Sequence, residues 1–414
     1  MSPIDSRSYI NIFSTVAGRV LRPILDLVVY LAKVATQLRE DQMQAIIQAG
    51  NTAPQTAKEL AENVLSWAKR HNLFTKVPLE DAVDGADVQF VANGDAFRAQ
   101  AVEEILRKKA INLVGFSEPQ KKVVIFTNGK VSKTDEKILP FHSAGFTIEY
   151  IQGGIAQVKG NPPPPETPKP FNLHQGRYTC GSSIFPAHCI GAGTFGLIVR
   201  DQHGDLFGMT NNHVAGACNN AMPGLPILAP GPLDATEDAC DPFTIGRHHR
   251  LLPINDGIPE NIAIGVNWDV SIFRLSDTSR VTSMQGMAFD TPAVVAAPLP
   301  GMQVEKVGRT TGRTSGLIVA QSASPVPVHY QVAEYGVRKN VYFESVYIVI
   351  GSNEQPFSKA GDSGSLVVAD DGNGSKVAVG LVFAGNEQRG LSFILPLPEI
   401  MDKLSLEIVS GHHV

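Results

Sequence analysis

Cysteine, excess charge and long apolar runs are what this 414-residue chain has least of. Its four cysteines, Cys180, Cys189, Cys218 and Cys240, form no C-x-x-C pair, so the spacing contains neither a zinc-finger framework nor a redox dithiol. His248 and His249 follow Cys240, but nothing completes a metal site around them, and reduced thiols in a cytoplasmic setting are expected. Lys and Arg number 35 against 40 Asp and Glu, a net charge of −5. A weakly acidic chain is a poor binder of broad phosphate surfaces, and Lys108-Lys109 and Lys121-Lys122 read as isolated pairs on a solvated face, so no nucleic-acid partner is expected. No apolar run reaches the ~18–20 residues of a spanning helix, so no integral membrane segment is expected. Met1–Asp5 has no basic segment, which argues against a secretory leader.

What is present is globular. Hydrophobic residues make up 43% and charged residues 18%, enough apolar mass for two or three cores at roughly 150 residues per domain. The sharpest boundary is Asn161–Pro170, with six prolines in ten residues, a composition that favours an extended spacer; a PxxP ligand is the other use of such a run. Before residue 161 there are 10 Gly and 6 Pro; after residue 170 there are 28 Gly, 16 Pro and all four Cys. The second part is therefore expected to hold many short strands and turns.

Four segments follow: 1–75 helical, 76–160 a small α/β domain, 161–170 the linker, and 171–414 a strand-rich domain. Phe13, Val16, Val20, Ile24, Leu27, Leu31, Val34 and Leu38 recur at helical spacing. Arg19, Arg22, Asp26 and Lys33 interrupt the stripe, which suits a helical hairpin core better than a membrane surface, and self-association through it is a further use. A second helix is predicted over Thr56–Arg70, with Leu60, Val64 and Trp67 on one face. Strands are predicted at 88–92, 111–116, 123–126 and 146–151, and a helix at Arg98–Lys109.

Three segments of the last part carry chemistry: Phe207–Val214 with His213, Asn267–Phe273 with Asp269, and Lys359–Ser365 with Ser363. Each alone has a structural reading, and Asp256 and Asp277 are other carboxylates along the same stretch. Together they give the order His, Asp, Ser at separations that can each hold several strands.

These segments resemble the motifs of trypsin-like, chymotrypsin-fold serine proteases. Thr210-Asn-Asn-His213 is similar to their Thr-Ala-Ala-His, Trp268-Asp-Val-Ser-Ile272 to their Asp-Ile-Ala-Leu, and Gly361-Asp-Ser-Gly364 is identical to their nucleophile motif. Gly380–Gly385 resembles the strand that pairs with substrate, and Val307–Gly316 a Gly-x-Thr-Thr-Gly segment of bacterial members. The resemblance covers about residues 171–405 and is greatest to intracellular bacterial-type members.

It implies an all-β double barrel in 171–414, preceded by the helical and α/β regions, and a serine endopeptidase acting on a protein or peptide. The implied triad is His213, Asp269 and Ser363. Gly361 and Ser363 would supply oxyanion-hole N–H groups, and Asp362 would hold the loop. Phe357, Phe383, Ala384 and Gly385 would contact substrate. No metal or other cofactor is called for. Alignment through Gly361 puts Phe357 where trypsins carry the acid that selects Lys or Arg, which implies an uncharged preference. Val214 stands where secreted relatives often carry a cysteine, and no cysteines flank Ser363, both in keeping with a reducing compartment. Residues 1–160 are expected to regulate, to bind a partner or to self-associate. The competing reading is a catalytically silent protease-like module that binds peptides. An α/β-hydrolase is excluded by the order of the three residues and by the lack of a G-x-S-x-G elbow.

Overall fold

The computed structural model describes residues 54–75, 97, 100–153, 173–235, 243–332, 336–353, 355–386 and 389–414. The helical stripe Phe13–Leu38, the strand expected at 88–92, the proline-rich 161–170 and Cys240 lie outside the described residues.

The helix Ala57–Arg70 begins where the sequence predicts. Thr56 caps it by accepting from Glu59 N at 3.1 Å, and Glu59 reaches back to Gln55 N at 2.7 Å. Glu118 takes the next free N–H groups, those of Ala57 and Lys58, at 3.1 and 2.8 Å. Leu60, Val64 and Trp67 are buried along one side. The strand Ile111–Ser117 pairs antiparallel with Lys122–Thr127, which pairs in parallel with Phe146–Gln152. This sheet does not end on itself. Ile111–Ser117 also bonds to the strand Gly312–Ser322 through Gly115↔Ser322 and Phe116↔Gln321, so it runs on into the strand-rich part of the chain.

Residues 173–414 are all-β in the described residues apart from short helices, and they form the expected chymotrypsin-like pair of β-layers. The two halves are not equally closed. The second is a full six-stranded barrel in the order Gln303–Gly308, Leu366–Asp370, Lys376–Asn386, Leu391–Pro396, Tyr347–Gly351, Gly312–Ser322. It shuts where Gly312–Ser322 pairs with Gln303–Gly308, from Gln303↔Leu317 to Gly308↔Gly312. Val304, Ile318, Val349, Phe357, Val367 and Ile394 fill it. The first is a curved half-barrel in which Leu197–Arg200, Leu206–Thr210, Ser271–Leu275, Phe243–Leu251 and Pro226–Ala229 are successive neighbours. After the helix Leu397–Leu404 the chain returns, and Glu407–Ile408 adds to Leu197–Arg200 at the edge of that half-barrel.

A hairpin, Val326–Val332 with Val337–Phe343, lies between the halves, in register from Val326↔Phe343 to Val332↔Val337. Its first strand alternates, burying Val326, Val328, Tyr330 and Val332 on one face. These residues share one apolar core with Val270 and Ile272 of the half-barrel and with Phe343 and Phe383.

Candidate active site

The strands Leu206–Thr210 and Ser271–Leu275 are antiparallel neighbours with Thr210 opposite Ser271. That register brings the residues just after Thr210 and just before Ser271 to the same end of the half-barrel. Asn211 starts a single helical turn, Asn212–Ala215, and its side-chain N–H₂ donates to the Asp269 carbonyl at 2.7 Å. His213 lies on this turn. Its backbone N–H donates to Asp269 Oδ1 at 2.9 Å, and its Nδ1 lies 2.5 Å from Asp269 Oδ2. A carboxylate only accepts, so Nδ1 carries a ring proton, and in the neutral ring Nε2 keeps its lone pair. Asp269 is fully buried, while the His213 side chain keeps 11% of its surface in solvent. A third donor meets the same carboxylate: Tyr330 Oη gives its proton to Oδ2 at 2.9 Å. The other candidate carboxylates do not take part. Asp256 accepts from Asn340 N and Asp277 from Ser279, both at exposed positions.

Ser363 sits on a tight loop. Asp362 N donates to Lys359 O and Ser365 N to Asp362 O, each at 3.0 Å. Gly361 and Gly364 both have φ of +95°, which side chains rarely adopt. At Gly364 a Cβ would also overlap Thr210 Oγ1 and come within 2.5 Å of Thr194 O. Thr194 holds the loop from the half-barrel side. Its N–H donates to Ser363 O at 2.9 Å and its hydroxyl to Gly361 O at 2.8 Å, while Thr210 Oγ1 donates to Thr194 O at 2.8 Å. The loop of Ser363 is thereby tied to Thr210, three residues before His213. The N–H groups of Gly361 and Ser363 meet no acceptor among the described residues.

Asp362 turns the other way and is fully buried. Oδ1 accepts from Thr310 N at 2.8 Å and Thr311 N at 3.1 Å; Oδ2 accepts from Thr311 Oγ1 at 2.7 Å, Lys359 N at 2.9 Å and Lys306 Nζ at 3.2 Å. The Gly-x-Thr-Thr-Gly segment thus has a physical job, to surround this carboxylate. Burial pulls the Lys306 ammonium below its ordinary range, and Asp362 opposes that pull. Next to it, Arg309 Nε donates to Asp234 Oδ2 at 2.7 Å, Ser183 Oγ donates to the same oxygen at 2.5 Å, and the ion pair is sealed from solvent. Arg309 belongs to the segment after Gln303–Gly308 and Asp234 to the half-barrel side, so the pair crosses between the two layers.

The residues expected to contact substrate divide. Phe357 is fully buried in the core of the closed barrel, and its carbonyl accepts from Thr314 Oγ1 at 2.6 Å. Phe383 is also buried, edge-on to Phe343 with ring centroids 4.9 Å apart. Ala384 and Gly385 pair with Phe393 and Ser392 on one side; on the other, the neighbouring strand has already stopped at Leu366↔Leu381. Beside Gly385 lie two buried hydroxyls, Ser358 Oγ and Ser392 Oγ, 2.6 Å apart. Neither serine, nor Tyr330, Lys306 or Thr194, is singled out by the sequence. The one available signal was the even alternation Val326, Val328, Tyr330, Val332, which puts a lone hydroxyl on an apolar face.

Among the described residues no cluster of three or more His, Cys, Asp and Glu forms a metal site, and no helix is long and apolar enough to cross a membrane. Cys180 and Cys218 are buried thiols, and burial pushes both well above the ordinary thiol range.

Residues 274–397 match a family model described as the Nal1 C-terminal domain. The chain is 27% identical to Protein NARROW LEAF 1 of Oryza sativa subsp. japonica over 56% of this chain and 43% of that protein, so it spans less than half the length of this curated relative. Among solved structures, similarity extends to Thermobifida fusca Protease A, with 16% identity and a TM-score of 0.37 over 56% of this chain and 98% of that one. A glutamic acid specific serine protease matches at 18% identity and a TM-score of 0.37, over 56% of this chain and 100% of that one. Rv3671c protease from M. tuberculosis matches at 17% and 0.29, over 56% of this chain and 82% of that one.

Proposed function

We propose that this protein is a serine endopeptidase that cuts peptide bonds through an acyl-enzyme. The observation that carries the reading is the buried Asp269 carboxylate receiving both the backbone and the ring N–H of His213, with the Ser363 loop tied through Thr194 to Thr210, three residues before that histidine. In this reading Ser363 Oγ attacks the scissile carbonyl as its proton passes to His213 Nε2. The oxyanion is met by the Gly361 and Ser363 N–H groups, which have no acceptor of their own among the described residues. His213 then returns the proton to the leaving amine as the C–N bond breaks. Water then attacks the acyl carbon as its proton passes to Nε2, and the C–Oγ bond breaks as His213 returns that proton to Ser363 Oγ, releasing the carboxylic acid product.

The open side of Ala384–Gly385 is where an extended substrate would add as a further strand. An uncharged side chain is the proposed preference at the first pocket, supported by the buried Ser358 and Ser392 hydroxyls beside Gly385, which are neutral donors and acceptors; Phe357 itself lies in the barrel core and lines no pocket. A cytoplasmic, reducing setting belongs to the same reading, supported by the buried thiols of Cys180 and Cys218. So does a regulatory or partner-binding role for residues 1–160, with self-association tested by comparing the sedimentation of the full chain and a chain lacking residues 1–53.

The deciding experiment is reaction with a fluorophosphonate probe, which labels only a serine activated by a neighbouring base. The wild type is expected to be labelled and Ser363→Ala and His213→Ala are not. A wild type that takes no label, yet binds peptides, would make the protein a silent binding module instead.

A further inference from the structure

Asp269 receives its hydrogen bonds from both sides of the molecule. The two from His213 come from the half-barrel, one turn beyond Thr210. The third, from Tyr330, comes from the hairpin that follows the strand Gly312–Ser322 of the closed barrel, the same side that supplies Ser363. The hairpin is fastened across the seam. Lys339 Nζ donates to Cys218 O at 2.7 Å, Asn340 N to Asp256 Oδ1 at 2.7 Å, and Asn267 Nδ2 to Tyr342 O at 3.0 Å. Asn267 lies two residues before Asp269 and Cys218 five after His213, so the fastening grips the segments that hold the acid and the base.

Tyr330 is built as a donor. Its ring packs against His213 at 5.6 Å and Phe343 at 6.2 Å between centroids. Burial first, then the charges of Asp269 and Cys218, hold its phenol far above the ordinary range, so it keeps the proton that it gives to Oδ2. That oxygen is the one bound by His213 Nδ1. A carboxylate with one oxygen shared between ring and phenol, and the other on the His213 backbone N–H, cannot rotate without breaking bonds on both sides.

We propose that Tyr330 is a positioning residue of the hydrolytic site: its phenol locks the Asp269 carboxylate, and through it the His213 ring, to the layer that carries the nucleophile. The inference rests on the serine-protease reading for its catalytic consequence, but the lock itself is a statement about Asp269 and His213. A loose base is costly because proton transfer demands alignment to a fraction of an ångström.

The test uses the full chain and Tyr330→Phe, which removes one oxygen and keeps the ring. Two readouts are taken. The first is the far-downfield proton resonance of the short His213 Nδ1–Asp269 Oδ2 bond, which requires no turnover. It is expected to shift or vanish in Y330F, and to persist in Val328→Ala, which thins the same face of the hairpin without removing a donor. The second is the rate of fluorophosphonate labelling. Y330F is expected to slow it roughly 10-fold or more, the worth of one hydrogen bond to a charged acceptor. In an Asp269→Asn background the same change is expected to add nothing, because its target is gone. An unchanged resonance in Y330F, or an equal slowing in both backgrounds, would overturn the proposal and leave Tyr330 as packing. A wild type that takes no label would instead overturn the protease reading, with the resonance still deciding the lock.

Discussion

Lys306 Nζ lies 3.2 Å from Asp362 Oδ2, and both side chains are fully buried. The acid next to the proposed nucleophile therefore has a cationic partner from its own fold. Lys306 Nζ is further held by Gly312 O at 3.1 Å and by the Thr311 hydroxyl, so this carboxylate needs no cation from elsewhere in the chain. Labelling by the fluorophosphonate probe is expected to proceed at the wild-type rate in a chain made uncleavable across residues 161–180. A requirement for a cut in that stretch would show that the Lys306–Asp362 pair does not suffice to hold the Ser363 loop in its working form.

Removing one member of that pair leaves a buried charge alone. Lys306→Met is expected to cost about 3–5 kcal/mol of stability and to abolish labelling, because the orphaned Asp362 drags the Ser363 loop toward water. Urea unfolding with the probe assay beside it measures both.

Asp269→Asn keeps the shape of the site but turns an acceptor into a group that can also donate to His213 Nδ1. The ring then presents the wrong tautomer to Ser363, and the hydrolysis rate is expected to fall about 10⁴-fold, as in the general triad template. A loss smaller than tenfold would remove Asp269 from the role assigned to it.

Gly364→Ala tests the loop itself. The left-handed backbone alone would cost roughly 1–3 kcal/mol, and the new methyl has no room against Thr210 Oγ1 and Thr194 O. Labelling is expected to vanish and the thermal midpoint to fall; a wild-type midpoint would mean that the loop is held less tightly than its bonds to Thr194 indicate.

His248 gives the fold a pH dependence apart from the site. It is buried beside Ser271 Oγ at 3.1 Å, and burial, followed by the charge of His249, pulls it down to about 4 from an ordinary value of 6.5. Between those values the unfolded chain binds a proton that the folded chain refuses. The stability held in neutral His248 is thus complete above about 6.5 and is lost as pH falls toward about 4. The thermal midpoint is expected to drop over that window, and less so in His248→Gln.

The motifs around His213, Asp269 and Ser363 stand out in the sequence by residue type and order, and the fold does bring His213 onto Asp269. The helix Ala57–Arg70 was legible from the Thr56–Glu59 cap and the spacing of Leu60, Val64 and Trp67. What escaped depends on partners distant in the chain. Nothing local says that Ile111–Ser117 pairs with Gly312–Ser322, since two-residue alternation is blind to the identity of the neighbour. Lys306 lies in an ordinary Val-Glu-Lys-Val run and is explained only by Asp362, fifty-six residues on. Tyr330 carries one hydroxyl whose acceptor lies sixty-one residues earlier.

The bond ladder from Gly115 to Ser322 has a further consequence. Leu113, Val124 and Phe126 share a core with Ala320, Ile348 and Phe393, so the two stretches hold each other by apolar contact as well as by backbone pairing. A protease that nicks the backbone within 161–170 would produce two polypeptides but a single particle. They would separate only in denaturant, and the same two pieces, expressed apart, would be complementing halves of one fold.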